Sequence, residues 1–158
     1  MVEIVNRFAT SAPRRAILRG LVAYRAELRA IGIDRGFQWL DGSYVEDVEA
    51  TRLRSPADID LVTFARRPAG TELNDAWATL LERRCDLFSP REAKLKFRCD
   101  AYFVDLGTVE VEWLVMRATY WASLFSHRRD THLWKGMLQV DLADDSDLTT
   151  LFSELLDD

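Results

Sequence analysis

The stretch Ala57-Asp58-Ile59-Asp60-Leu61-Val62 constrains this chain more than any other. It alternates acid with apolar residue and runs on into Thr63 and Phe64. Successive side chains of a β-strand point to opposite faces, so Asp58 and Asp60 share one face while Ile59 and Leu61 turn the other way, into a core. Two neighbouring carboxylates on one face repel each other unless water or a cation lies between them. The fold must therefore give this strand one dry face and one face that is wet or metal-loaded.

Elements that could build such a fold follow from periodicity. Ser11 and Pro13 mark a helix start. Ile17, Leu21, Tyr24, Leu28 and Ile31, widened by Leu18 and Val22, form an apolar stripe that predicts an amphipathic helix over Arg14–Ile31, ended by Gly32. Arg15, Arg19, Arg25 and Arg29 read as its wet face. Phe37–Leu40, Ile59–Phe64, Phe97–Leu106 and Met137–Leu142 read as strands, the first three in one sheet. Tyr44 to Ser55 suits a helical turn and a loop closed by Ser55-Pro56, and Leu73, Trp77, Leu80 and Leu81 suit a helix. Val109 to Phe125 reads as an extended start followed by a helix, and Asp147 to Leu156 as a closing helix. These add up to one α/β or α+β domain over residues 1–158, with a core of about 14–142 and a mixed sheet flanked by helices. At 158 residues the chain is long enough for one such core and too short for two.

Composition removes several functions. No apolar run approaches the roughly 18 residues of a membrane span. Met1 to Thr10 lacks the apolar centre of a signal peptide, so the expected compartment is the cytoplasm. Cys85 and Cys99 are expected to stay unpaired, and with His127 and His132 they give no zinc spacing. The net charge of −5 does not favour nucleic acid, although Arg83, Arg84, Arg91, Lys94, Lys96 and Arg98 crowd one stretch. That stretch is either a solvated face or a basic rim for phosphates. The tail from Asp141 to Asp158 is acidic throughout.

Chemistry gathers around the two strand aspartates. Asp41-Gly42-Ser43 follows the Phe37–Leu40 strand, and Asp100 stands in the apolar strand Cys99-Asp100-Ala101-Tyr102-Phe103-Val104. If the strands of Asp60 and Asp100 are neighbours, Asp58, Asp60 and Asp100 converge. An all-oxygen donor set suits Mg²⁺, which keeps waters and takes phosphate oxygens to complete its octahedron. Three carboxylates can hold two such ions for an in-line displacement at phosphorus.

In this order, strand, Gly-Ser, Asp-apolar-Asp in a strand, helix, and Asp in a strand, the chain resembles the nucleotidyltransferase superfamily. Leu40-Asp41-Gly42-Ser43-Tyr44-Val45, Pro56 to Val62, Cys99 to Val104 and the block Tyr120-Trp121, Leu124-Phe125, Arg128, Arg129-Asp130 and Lys135-Gly136 look like a small bacterial family inside it. The resemblance spans roughly residues 36 to 142. It implies that Gly42 lets a nucleoside triphosphate such as ATP approach the backbone, and that Ser43 hydrogen-bonds it. Asp58 and Asp60 would bind Mg²⁺. Asp100 would help hold a metal and orient or deprotonate the attacking hydroxyl of a protein, RNA or small-molecule acceptor. Two features depart from the family pattern: the gap between Ser43 and Asp58 is long, and the large helical domain of many relatives has no counterpart.

Other residues leave alternatives open. Lys135 reads as a phosphate contact or an exposed turn lysine, and Arg128 and Arg129 likewise. Trp113, Trp121, Phe125 and Trp134 could stack on a base or simply fill a core or an interface. His127 and His132 read as surface residues. Ser43 has no histidine in a recognised arrangement that would make it a covalent nucleophile. Three functions compete: an active nucleotidyltransferase, a non-catalytic or partner-dependent module of a toxin–antitoxin or phage-defence pair, and a metal-dependent nuclease.

Overall fold

A computed structural model describes residues 1–107, 110–128 and 131–143. In them, α1 (Val2–Phe8) and α2 (Ala12–Ala30) precede β1 (Gly36–Asp41). A 3₁₀ turn (Gly42–Val45) and α3 (Val48–Arg52) lead to β2 (Ile59–Ala65). Helices α4 (Asn74–Arg83), α5 (Cys85–Phe88) and α6 (Pro90–Phe97) carry the chain over to β3 (Cys99–Asp105). Then α7 (Val111–Phe125) and β4 (Leu138–Asp141) follow.

The strands form one mixed sheet in the order β3-β2-β1-β4, which makes this an α+β fold. β2 and β3 run parallel, as the long helical crossover between them requires, and β1 is antiparallel to both β2 and β4. One face carries Leu40, Ile59, Leu61, Cys99 and Ala101 into the main core with Ile17, Leu21 and Leu28 of α2. The opposite face carries Val62, Phe64 and Val104 against Trp121 and Phe125 of α7. Ile59 and Leu61 thus point to the core, as the alternation predicts, and Asp60 lies on the α7 face.

Two local expectations need correction. Arg25 is not on a wet face: it is fully buried, donating to Gln38 Oε1 at 2.7 Å and to the Asp141 carbonyl at 2.6 Å. Position 25 lies four residues after Leu21 and three before Leu28, so it belongs to the apolar stripe by geometry. Gln38 and Thr63, buried and bonded to each other at 2.9 Å, meet it on the sheet. Phe97 ends α6 instead of opening β3, because Arg98 takes a left-handed conformation (φ 57°) that stops the helix and turns the chain. The stretch Tyr44 to Ser55 holds the expected helical turn followed by a loop: α3 is five residues long, and Asp47 caps it by accepting from the Ala50 amide at 3.2 Å. The Asp147–Leu156 helix, Val109, Arg129 and Asp130 lie outside the described residues. No helix of the described residues is long and apolar enough to cross a membrane.

Candidate active site

Strand register places three aspartates in a row. Asp41 on β1 is the partner of Asp60 on β2, and Asp60 is the partner of Asp100 on β3. Adjacent strands lie about 4.8 Å apart, so these side chains follow one another across a single face of the sheet. Asp58 stands just before β2, two residues from Asp60. All four line a cleft of about 300 Å³ at the end of the sheet where β1 finishes and β2 and β3 begin.

The turn after β1 closes one side of this cleft. Gly42 has φ +82°, and a Cβ built there would lie 2.0 Å from Asp60 Oδ2. Only glycine allows the turn to pass so close to that carboxylate. Ser43 lines the same cleft beside it. Buried Arg14 of α2 holds the turn in place, donating to the carbonyls of Tyr44 at 2.7 Å and Glu46 at 2.6 Å, and to Glu49.

Cationic side chains balance the acids. Lys94 of α6 pairs with Asp58. That contact, more than any other, pushes the Lys94 ammonium up, with smaller contributions from Asp100 and Asp60, so Lys94 feels all three carboxylates. Lys135 is neither exposed nor a single-purpose contact. Its side chain is nearly buried between Asp41 Oδ2 at 2.9 Å and Glu46 Oε1 at 3.3 Å. Glu46 also receives Arg52 and Arg128, each at 3.3 Å, and so ties the 3₁₀ turn to the segment after α7. Burial raises the Asp41 pKa, with Lys135 opposing it. The second carboxylate oxygen, Asp41 Oδ1, is buried without a partner among the described residues. Five carboxylates and four Lys or Arg side chains line the cleft, which leaves the acids one in excess.

The residues expected from the sequence, Gly42, Ser43, Asp58, Asp60, Asp100 and Lys135, all line this cleft. Asp41, Glu46, Arg52, Arg54 and Lys94 line it too, although no sequence argument singled them out for it. Lys94 carried a weak signal through the basic stretch, whose other members are occupied elsewhere or exposed: Arg84 and Lys96 bond Asp86. Asp41, Glu46 and Arg52 carried none, because only pairing and turn geometry aim them inward. His127 is half-buried at the cleft wall, its ring 4.2 Å from that of exposed Trp134, whereas Trp121 and Phe125 are core residues.

The donor set fits Mg²⁺ by chemistry, being all oxygen with an excess of negative charge. Among the described residues no group of three or more His, Cys, Asp or Glu side chains forms a ready-made metal cage. Asp58 is engaged by Lys94, and a Mg²⁺ site built on one or two carboxylates completed by waters and phosphate is the common arrangement for this ion.

Residues 1–141 match a family described as "Family of unknown function (DUF6932)". The chain belongs to this family. The match covers every residue of the cleft, from Asp41 to Lys135, and all of both cores but Leu142. No curated protein and no solved structure shows significant similarity to the chain.

Proposed function

We propose that this DUF6932 chain is a Mg²⁺-dependent nucleotidyltransferase, moving a nucleoside monophosphate from a nucleoside triphosphate to a hydroxyl acceptor. One observation carries the reading: Asp60 and Asp100 are register partners on adjacent parallel strands, and Gly42-Ser43 turns directly against Asp60. Carboxylates for a metal and a tight glycine turn for phosphates are thereby side by side.

In this reading Asp60 and Asp100 hold Mg²⁺, with Asp58 available once Lys94 turns away. When bound, the ion neutralises phosphate charge and polarises the α-phosphoryl group. Gly42 leaves room for phosphate oxygens beside the backbone, and Ser43 donates to one of them. Lys94, Arg52 and Arg54 supply positive charge along the β- and γ-phosphates. Asp100 accepts the proton of the acceptor hydroxyl as its oxygen attacks the α-phosphorus. The bond from that phosphorus to the bridging oxygen breaks, and pyrophosphate leaves with the electron pair. Lys135, held by two carboxylates, braces the turn and is not the chief phosphate contact.

A second reading, a partner-dependent module, is favoured by the outer face of α7, where Val115, Met116 and Tyr120 are exposed. Incubating the protein with each labelled ribonucleoside triphosphate and Mg²⁺ tests the first reading. Pyrophosphate release and a labelled product are expected from the wild type and not from Asp60→Asn. If no triphosphate is turned over, alone or with a co-purifying protein, the transferase proposal fails.

A further inference from the structure

A second, smaller cavity of about 190 Å³ adjoins the cleft and shares Asp60, Asp100, Leu124 and Phe125 with it. Asp60 and Asp100 line both spaces, so they stand at the junction. The two sides differ in chemistry. The cleft holds Gly42, Ser43 and the lysines and arginines described above. The smaller cavity is walled by aromatic rings: Tyr102, two residues beyond Asp100 on the same strand face, and Tyr120, Trp121 and Phe125 of α7. The rings of Tyr102 and Tyr120 lie 4.7 Å and 5.1 Å from that of Trp121. At its rim Arg117 rests over the Trp113 ring at 4.6 Å and forms no ion pair among the described residues.

We infer that this cavity is an acceptor subsite, taking the planar ring of a hydroxyl-bearing small molecule that also carries a negative charge. The inference rests on the transferase reading for its chemistry, not for its binding. Tyr102 and Tyr120, the exposed rings of this wall, are backed by buried Trp121 and offer π-surfaces that recognise a flat π-system. A volume below the roughly 300–1,000 Å³ of sites that enclose whole ligands admits one ring and not a run of nucleotides. Arg117, stacked on Trp113 and without an ion pair among the described residues, is placed for a carboxylate or phosphate on that ring's edge. A hydroxyl on the ring side of Asp100 faces the cleft across that carboxylate. Its proton passes to Asp100, its oxygen bonds to the α-phosphorus, and pyrophosphate departs on the other side.

Ligand-detected NMR titrations with three probes test this. The probes are 4-hydroxybenzoate (ring, hydroxyl and anion), 4-hydroxybenzyl alcohol (no anion) and glycerol 3-phosphate (no ring). 4-Hydroxybenzoate should bind best, and exposed Tyr120→Ala should weaken both ring probes at least fivefold. Arg117→Gln should weaken 4-hydroxybenzoate several-fold and leave the neutral ring probe unchanged. Equal binding of glycerol 3-phosphate, or indifference of both ring probes to Tyr120→Ala, overturns the subsite. Ring binding with these responses but no pyrophosphate release with any triphosphate upholds the subsite and removes the transferase reading. Pyrophosphate release whose acceptor KM ignores both variants does the reverse.

Discussion

Gly42 is where a single atom decides the site. Its φ of +82° is costly for any other residue, and the Cβ of an alanine would press on the Asp60 carboxylate. Gly42→Ala should destabilise the protein by about 1–2 kcal/mol through backbone conformation alone. It should also displace Asp60, so that any thermal response to Mg²⁺ is lost. A melting curve with and without Mg²⁺ reads both effects, and an unchanged Mg²⁺ response would show that the turn and Asp60 are not coupled. Glu49 offers a pH-dependent counterpart. Its hydrogen bonds from Arg14 hold its carboxyl below the usual glutamate range. A depressed folded-state pKa contributes stability that is present above the unfolded value and lost as pH falls through the folded one. Glu49→Gln should therefore cost about 1–2 kcal/mol at neutral pH, allowing for the exposed part of the pair. The difference from wild type should shrink as pH falls below about 4.3. Denaturant titrations at pH 7 and pH 3.5 would show it, and an equal gap at both would disprove the linkage.

Between elements, a close approach is made by Gly20 in the middle of α2, the tightest of any glycine in the described residues. A Cβ there would lie 1.8 Å from the Phe97 carbonyl oxygen, where α6 ends and the chain turns into β3. Helix propensity alone predicts that Gly20→Ala stabilises α2 by about 1 kcal/mol. Contact with backbone, which cannot swing aside, reverses the sign: the substitution should cost at least about 2 kcal/mol. It should also disturb the start of β3 at Cys99, next to Asp100. Chemical denaturation decides between the two signs. The same packing explains Arg25, whose guanidinium finds neutral acceptors on β1 and β4. An arginine in an apolar stripe is readable as buried only when its partners on other elements are known.

For the molecule as a whole, the cleft is the place where an excess of carboxylates meets the tight Gly42-Ser43 turn. A ligand that binds only the folded state stabilises it by mass action, about 2.7 kcal/mol at one hundred times its Kd. Saturating Mg²⁺ with a triphosphate should therefore raise the melting temperature by about 5–10 °C. Asp60→Asn should abolish most of that rise while leaving the metal-free protein as stable as wild type or more so, since a charge is removed from a crowded row. Asp100→Asn should lower turnover more than triphosphate binding. If wild type and Asp60→Asn respond identically, the row is a wet strand face and the metal proposal falls.

Local sequence was sufficient for much of this architecture. Alternation at Asp58 to Phe64 and the stripe of α2 dictated which faces are buried, because strand and helix periods are properties of the backbone. The Gly-Ser turn and the aspartates of β2 and β3 were legible as candidates for the same reason: each stands at the end of a strongly patterned segment. Tertiary structure alone decided what surrounds them. Asp41 joins the row through antiparallel register with Asp60, and Lys94 arrives from a crossover helix. Lys135 comes from the segment after α7 and is clamped by Asp41 and Glu46. The aromatic cavity forms because α7 lays its rings over the strand face carrying Asp100 and Tyr102. Such contacts join residues tens of positions apart, and no period in the chain encodes them.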